Sequence, residues 1–282
     1  MVILHQIIGM ITFPKAKINL GLRVLSSRPD GYHDIETIFY PVPLTDALEF
    51  VTGTGTMAGD DELVTTGIKI DVGKEKNLVT RAVRKTREAR DFPFLRIHLH
   101  KAIPAGAGLG GGSSDAAFMI KTLNRYFNLQ LEERDMMAIA AELGSDCPFF
   151  INPCPSIAMG RGEILTPALP VLEGYYLVIA NPGIHVDTRE AYMNTLPVKG
   201  GTSLAELVAL KPAGWKETVK NDFEEYVFKL HPVVGEMKKS LYSSGAVYSS
   251  MSGSGSSVYG IFDEKPDLPQ ELKRLVIFEG ML

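Results

Sequence analysis

The chain has 282 residues, 45% of them hydrophobic and 22% charged, with a formal net charge of −4. That length can bury one large core or two modest ones, and the composition is that of an ordinary soluble protein, for which disorder is not the default. A mildly acidic chain without a basic block lacks the electrostatic footprint for nucleic acid or an anionic membrane surface, so the expected partner is a small molecule.

Residues 1–10 are apolar but lack the positively charged opening of a signal peptide, and no stretch approaches the roughly 18 apolar residues of a membrane helix. An edge strand or a leader without function is expected there, with Met10 as an alternative start. From Lys15 to Leu25, apolar Ala16, Ile18, Leu20, Leu22 and Val24 alternate with Lys15, Lys17, Asn19 and Arg23, which is the pattern of a strand with one wet face. Lys17 and Asn19 then project together, roughly 7 Å apart along the strand, as solvated groups or as two positioned ones. Asp30-Gly31 is a turn signal that would expose Tyr32 and His33 at a strand edge. An aromatic ring beside an imidazole that donates and accepts is suitable for a pyrimidine base.

Between Leu44 and Asp71 the text is rich in Gly, Thr and Asp, including Gly53, Gly55 and Gly59, and suggests strands joined by loose turns. Asn77 opens a helical run through Leu78, Ala82 and Lys85 and reads as an N-cap. Leu95, Ile97 and Leu99 alternate with Arg96, His98 and His100 as a half-buried strand does, and Lys101 closes it. His98 and His100 have no third metal ligand nearby in sequence.

The next stretch, Pro104-Ala105-Gly106-Ala107-Gly108-Leu109-Gly110-Gly111-Gly112-Ser113-Ser114-Asp115, lies between that strand and a helix expected from Ser113 to about Phe127, with Ala116, Met119, Ile120 and Leu123 at helical spacing. Glycines there admit positive φ and let main-chain N–H groups reach a ligand, Ser113 and Ser114 are N-cap candidates, and the dipole of the following helix attracts phosphate. A nucleotide polyphosphate is the natural ligand. No Lys follows the glycines, so a Walker A loop is excluded. A Gly106-x-Gly108-x-x-Gly111 match with Glu132 downstream keeps a dinucleotide site open, although Lys101 to Ala105 separates it from the strand. A ligand-free surface loop is the plain alternative.

A second amphipathic helix carries Met136, Ile139, Ala140 and Leu143, with Gly144 as its expected C′ stop. Asp146, beside Cys147-Pro148, reads locally as a turn residue. Cys147 and Cys154 are the only cysteines. They match no zinc spacing and imply no disulfide framework, so a reducing cytoplasm is expected. Prolines and glycines crowd from Asn152 to Gly174, which places a domain boundary near residue 160, hence domains 1–160 and 161–282. Tyr175 to Ala180 reads as a buried strand, turned by Pro182-Gly183, and Ser203 with Glu206 makes a capping box. Strand-like Ala246 to Ser250 and Val258 to Phe262 flank Met251-Ser252-Gly253-Ser254-Gly255-Ser256, which a hairpin alone would explain.

Taken together, the proline and Gly-Leu-Gly-Gly-Gly-Ser-Ser run, the Gly-Ser-Asp-Cys-Pro-Phe-Phe stretch and the Met-Ser-Gly-x-Gly loop resemble, in order, the three motifs of the GHMP small-molecule kinases. Pro14-Lys15-Ala16-Lys17-Ile18-Asn19-Leu20 followed by Arg28-Pro29-Asp30-Gly31-Tyr32-His33 is similar to the opening of one branch, the 4-diphosphocytidyl-2-C-methyl-D-erythritol kinases. The resemblance implies an α+β fold of two domains with the active site in the cleft between them. It further implies ATP and a divalent cation, Mg²⁺, as cofactors, and phosphorylation of the substrate's 2-hydroxyl in non-mevalonate isoprenoid synthesis.

By resemblance Lys17 and Asp146 are catalytic, Asp146 as candidate base. Pro104, Gly106, Gly108, Leu109, Gly110, Gly111, Gly112, Ser113, Ser114, Asn77, Lys101, Gly253 and Gly255 border ATP. Asn19, Tyr32, His33, Phe39, Thr188 and Tyr192 border the substrate, with Tyr32, His33 and Phe39 around cytosine. Asn221-Asp222-Phe223-Glu224 resembles a helix start of structural role. The sequence does not show the metal ligands or the oligomeric state. Another small-alcohol kinase of the same fold, or a nucleotide-binding protein without catalysis, remains open. The Tyr32-His33 pair speaks against the first and the combination of Lys17 with Asp146 against the second.

Overall fold

The computed structural model describes residues 9–52, 61–70, 73–198 and 200–282. Gly53, Gly55 and Gly59, and all but the last two residues of the 1–10 segment, lie outside the described residues. In chain order the strands of the first half are β1 (Gly9–Thr12), β2 (Lys15–Ser27), β3 (His33–Thr45), β4 (Ala47–Thr52), β5 (Glu62–Gly67) and β6 (Leu95–Lys101), with helices α1 (Leu78–Ala89), α2 (Gly111–Phe127) and α3 (Glu133–Ala141). Beyond them come β7 (Ser156–Gly160), β8 (Ile164–Pro167), β9 (Tyr176–Ala180), α4 (Thr188–Met193), α5 (Leu204–Val208), α6 (Glu224–Leu230), α7 (Pro232–Ser243), β10 (Tyr248–Met251), β11 (Val258–Phe262), α8 (Gln270–Lys273) and β12 (Val276–Met281). Among the described residues no helix is long and apolar enough to cross a membrane. The architecture is α+β.

The chain divides into two compact units, the first made of Met1–Ala16, Leu44–Ala105 and Gly111–Asn152, the second of Lys17–Pro43, Gly106–Gly110 and Pro153–Leu282. In the first unit the sheet runs β1-β4-β6-β5. Its register sets Leu48 opposite Leu99 and Phe50 opposite Ile97, so one face presents apolar rows to the helices. Asn77 caps α1 by accepting from the Val79 N–H at 2.9 Å, as its position before the apolar run suggests. The helix then buries Val79, Ala82 and Val83, while α2 buries Met119, Ile120 and Leu123.

The second unit holds two sheets, β2-β3-β7-β8 and β10-β11-β9-β12. Strand β9 is buried along its whole length, consistent with its central place and continuous apolar text. Helices α6 and α7 bring Val227, Val234, Met237 and Leu241 to a core shared with Val178, Val258 and Phe262.

Three expectations are corrected here. Residue 160 is not a boundary: Gly160 and Gly162 take φ of +68° and +106° in the turn between β7 and β8, whose register sets Ser156 opposite Pro167. The break falls after Asn152, and Lys17–Pro43 joins the C-terminal residues because β3 pairs with β7, Phe39 opposite Ser156. Helix α2 starts at Gly111, so Ser113 and Ser114 sit in its first turn and do not cap it. Helix α3 ends at Ala141 with Glu142 as a right-handed C-cap, and Gly144 does not take the positive φ of a C′ glycine.

Candidate active site

In the second unit the polar face of β2 is covered, not wet: Lys17 is 3% and Asn19 1% exposed. Such burial demands partners, and they are present. The Lys17 ammonium donates to Asn19 Oδ1 at 2.5 Å and to the Gly108 carbonyl at 3.0 Å, and it lies 4.9 Å from the centre of the Phe39 ring. Asn19 Nδ2 donates to Thr37 Oγ1 at 2.9 Å, and the Thr37 hydroxyl donates to the Gly21 carbonyl at 2.6 Å. Asn19 is thereby fixed with its carbonyl oxygen toward the ammonium.

The β10–β11 loop closes on the same place. Ser252 Oγ donates to the Gly108 carbonyl at 2.8 Å and accepts from the Asn19 N–H at 3.2 Å. Asn221 Nδ2 holds this loop through the Met251 and Gly253 carbonyls, both at 2.8 Å, which is the structural role expected of its helix start. A Cβ on Gly108 would stand 1.8 Å from the Ser252 carbonyl oxygen, and its φ is +77°. Glycine is required there by both close approach and backbone conformation. Gly106 is similarly confined, since a Cβ would lie 2.6 Å from Nδ1 of His185. Thr188 and Ser254 share a hydroxyl contact of 2.8 Å, so the 184–188 segment, residues 106–110 and the β10–β11 loop form one junction in this unit.

The Asp30-Gly31 turn forms as expected, with the Arg28 N–H donating to the Tyr32 carbonyl at 2.8 Å and Gly31 at φ +81°. The pair it presents separates. Tyr32 is 53% exposed, its ring 4.7 Å from the Arg161 guanidinium carbon. His33 stacks on Tyr192 at 4.9 Å. Phe39 is buried beneath Lys17.

In the first unit the start of α2 is an anion-ready terminus, because its first four N–H groups have no intrahelical partner and its dipole is positive there. Among the described residues Ser114 Oγ in that turn, buried, has no hydrogen-bond partner, which is the kind of orphan a bound anion satisfies. The residues present therefore fit a phosphate. Lys101, expected near the phosphates, is 4% exposed, with its ammonium between the carboxylates of Asp46 and Asp115. Asn77 spends Oδ1 on its cap.

Asp146 sits half-buried in the turn between α3 and a short 3₁₀ segment, Pro148–Ile151. Beside it the Cys147 thiol is pushed up to about 11 by burial, so it is an inert packing group. His98 is used structurally, meeting Glu49 at 2.9 Å and Thr66 at 2.8 Å. Among the described residues no group of three His, Cys, Asp or Glu could hold a metal ion.

Sequence reasoning missed Ser252 as a ligand of Gly108, His185 against Gly106, and the Asp46 and Asp115 partners of Lys101. Ser252 and Asp115 stood inside motifs already singled out, so a signal existed. His185 and Asp46 carry none, because their partners are distant in the chain.

The model of the family described as the GHMP kinases N terminal domain matches residues 77–152, and that of the GHMP kinases C terminal matches residues 203–276. The chain is 51% identical over 257 residues to a Parabacteroides distasonis protein named 4-diphosphocytidyl-2-C-methyl-D-erythritol kinase, covering 91% of this chain and 93% of the relative. A Bacteroides thetaiotaomicron protein of the same name is 49% identical, covering 93% and 95%. A crystal structure of 4-(cytidine 5'-diphospho)-2C-methyl-D-erythritol kinase superimposes with a TM-score of 0.74 at 34% identity, over 89% of this chain and 90% of that one. A homoserine kinase from Cytophaga hutchinsonii, at 18% identity and a TM-score of 0.64, shares the fold.

Proposed function

The chain belongs to the GHMP kinases and, within them, to the 4-diphosphocytidyl-2-C-methyl-D-erythritol kinase family, and from that premise we propose how its residues divide the reaction. The reaction is ATP-dependent phosphorylation of the 2-hydroxyl of 4-diphosphocytidyl-2-C-methyl-D-erythritol, a step of non-mevalonate isoprenoid precursor synthesis.

Phosphoryl transfer asks a protein mainly for alignment and for charge where charge develops. Lys17 supplies a fixed cation. The observation that carries this assignment is its ammonium held by Asn19 Oδ1 and the Gly108 carbonyl, a buried positive charge on β2 anchored to the glycine loop. Such a preorganised charge stabilises a transition state without reorganisation at the moment of reaction. The α2 N-terminus, with Gly110, Gly111, Gly112, Ser113 and Ser114, receives the nucleotide phosphates, with Leu109, Gly253 and Gly255 bordering them and Pro104 entering the loop. Asn77 borders the adenine.

Asp146 takes or orients the hydroxyl proton. Tyr32, His33, Phe39, Thr188 and Tyr192 are the cytidine and sugar-alcohol contacts. Mg²⁺ would accompany the nucleotide and offset phosphate charge; such an ion takes few protein ligands, so no residue of this chain is assigned to hold it and no step is routed through it. A cytoplasmic location suits a soluble nucleotide substrate.

The test is a phosphorylation assay with ATP across cytidine-diphosphate alcohols, galactose, homoserine and mevalonate. Turnover confined to the cytidine substrate is expected. Equal turnover of an alcohol without cytosine would remove the base-recognition role of Tyr32, His33 and Phe39, and ATP binding without turnover of any of them would leave a binding protein.

A further inference from the structure

Three charged side chains meet beneath the first turn of α2. Lys101, the last residue of β6, directs its ammonium to Asp46 Oδ2 and, at 2.7 Å, to Asp115 Oδ2. Asp46, in the link between β3 and β4, uses its other oxygen to accept from the N–H groups of Ala102 and Ile103 at 2.6 and 2.8 Å. All three side chains are almost fully buried. A Cβ on Gly111 would lie 3.3 Å from Lys101 Nζ and 2.8 Å from Ile103 Cγ2, so the cluster stands directly under the residue that opens the helix.

The charges do not balance. Two carboxylates share one ammonium, and among the described residues Asp115 Oδ1, buried, has no hydrogen-bond partner. Asp46 has both oxygens occupied, so of the two carboxyls Asp115 is the one suited to hold a proton. Burial, with Asp46 as a like charge beside it and only partly offset by Lys101, pushes the Asp115 carboxyl up to about 7. Among the described residues, Lys101 from β6 and Asp46 from the β3–β4 link are the charged groups that face it.

We propose that Asp115 is a positioning residue of the phosphate cradle: through Lys101 it locks the first turn of α2 to the end of β6, and its proton sets how anionic the floor of that turn is when a nucleotide arrives. With the proton absent, the floor carries one uncompensated negative charge beneath a terminus that must receive phosphate. With the proton present, the cluster is neutral and the helix dipole acts unopposed. Nucleotide binding and proton uptake at Asp115 are therefore coupled, and each favours the other by linkage. The inference rests on reading the α2 terminus as the ATP phosphate site.

The experiment measures ATP affinity by calorimetry from pH 6 to pH 8.5 for the wild-type protein and for Asp115→Asn, which is neutral at every pH. The nucleotide's own titration is common to both proteins, so the ratio of affinities isolates Asp115. Near-equal affinity at pH 6 is expected, with Asp115→Asn binding roughly three- to tenfold more tightly at pH 8.5, the scale of a charge at a helix terminus. A ratio that does not change with pH overturns the proposal. A second measurement needs no variant: carboxyl carbon NMR of aspartate-labelled wild-type protein should show one side chain titrating near neutral pH and shifting upward when ATP is added. Absence of any such carboxyl between pH 6 and pH 8 also overturns it. If the wild-type protein binds no ATP at any pH, the phosphate-site reading fails instead, and the NMR titration without nucleotide still decides whether Asp115 holds the proton.

Discussion

His33 lies flat against Tyr192, ring centroids 4.9 Å apart and planes at 15°, and Tyr192 meets Phe223 edge-on at 4.8 Å. The imidazole is thus oriented by a ring more than 150 residues away in the sequence, while its neighbour Tyr32 stacks with Arg161. Stacked aromatic pairs contribute about 0.5–1.5 kcal/mol beyond area burial. Tyr192→Ala should therefore raise KM for the cytidine substrate up to roughly tenfold, and His33→Ala by more, because a site left with unpaired polar groups loses more than one left with a gap. KM for ATP should stay within about twofold in both variants. Steady-state kinetics with each substrate varied in turn would test this, and parallel rises in both KM values would make the stack a structural device.

The glycine loop separates by position. A Cβ at Gly108 meets the Ser252 carbonyl oxygen at 1.8 Å and its carbon at 2.7 Å, and backbone cannot yield as a flexible side chain does. Gly108→Ala should destabilise the protein at the severe end of single substitutions, above roughly 4 kcal/mol, visible as a collapsed melting temperature. Gly111 is packed against Ile103 and Lys101, so a substitution there reports on packing as well as on ligand. Gly112 is the clean probe, since among the described residues its Cβ would make only an ordinary contact with Leu78 Cδ1 at 3.6 Å. Gly112→Ala should keep or slightly raise the melting temperature, as Ala is preferred to Gly in a helix by about 1 kcal/mol, while ATP binding weakens. Unchanged ATP affinity in that variant would remove Gly112 from the cradle.

Local signals carried the elements: the alternation at Leu95–Leu99 became β6, Asn77 became a cap, and Asp30-Gly31 became a turn. These depend on neighbours within a few residues, which is what a sequence displays. The polar face of β2 shows the limit. Alternation predicted solvent, and the structure supplies the Gly108 carbonyl, Thr37 and Ser252 instead, partners that only the tertiary fold brings to Lys17 and Asn19. The boundary at residue 160 failed for a related reason, since Gly and Pro mark a hairpin turn and a domain crossing alike. The resemblance places Lys101 near the phosphates, but the carboxylates that consume its charge lie 55 residues before it and 14 after it.

Asp115 should leave a signature in stability. Its carboxyl holds a proton in the folded protein up to about pH 7, whereas an unfolded chain releases it near the ordinary carboxylate value of about 4. The folded state binds more protons between those limits. This group therefore contributes stability that is fully present below about pH 4 and is lost as pH rises through about 7. Urea midpoints measured at pH 5 and pH 8.5 should fall across that interval in the wild-type protein, and Asp115→Asn should flatten the fall. An equal slope in both proteins would mean that Asp115 titrates normally.

Lys17 and Asp146 are the residues on which turnover should depend most. Lys17 is held at three points, by Asn19 Oδ1, the Gly108 carbonyl and the Phe39 ring, so its charge is fixed before substrate binds. Lys17→Met keeps much of the side chain's bulk on Phe39 but deletes the cation, and kcat should fall by about 10² or more, the scale of losing one preorganised charge-stabilising group. Asn19→Ala leaves the cation and removes its orienting oxygen, so kcat should fall less than in Lys17→Met. That ordering separates fixing the charge from having it. Asp146 lies in a turn whose fold rests on the buried Pro148, Phe149 and Phe150 that follow, so Asp146→Asn should leave the turn intact. Loss of a carboxylate that accepts the hydroxyl proton lowers kcat by about 10²–10⁴, while ATP binding is retained. Circular dichroism would confirm that each variant is folded, and single-turnover kinetics would separate chemistry from product release. A folded Asp146→Asn enzyme with normal single-turnover rates would return Asp146 to the role of a turn residue, and the proton would then have to leave the hydroxyl without a side-chain base, with Lys17 supplying charge alone.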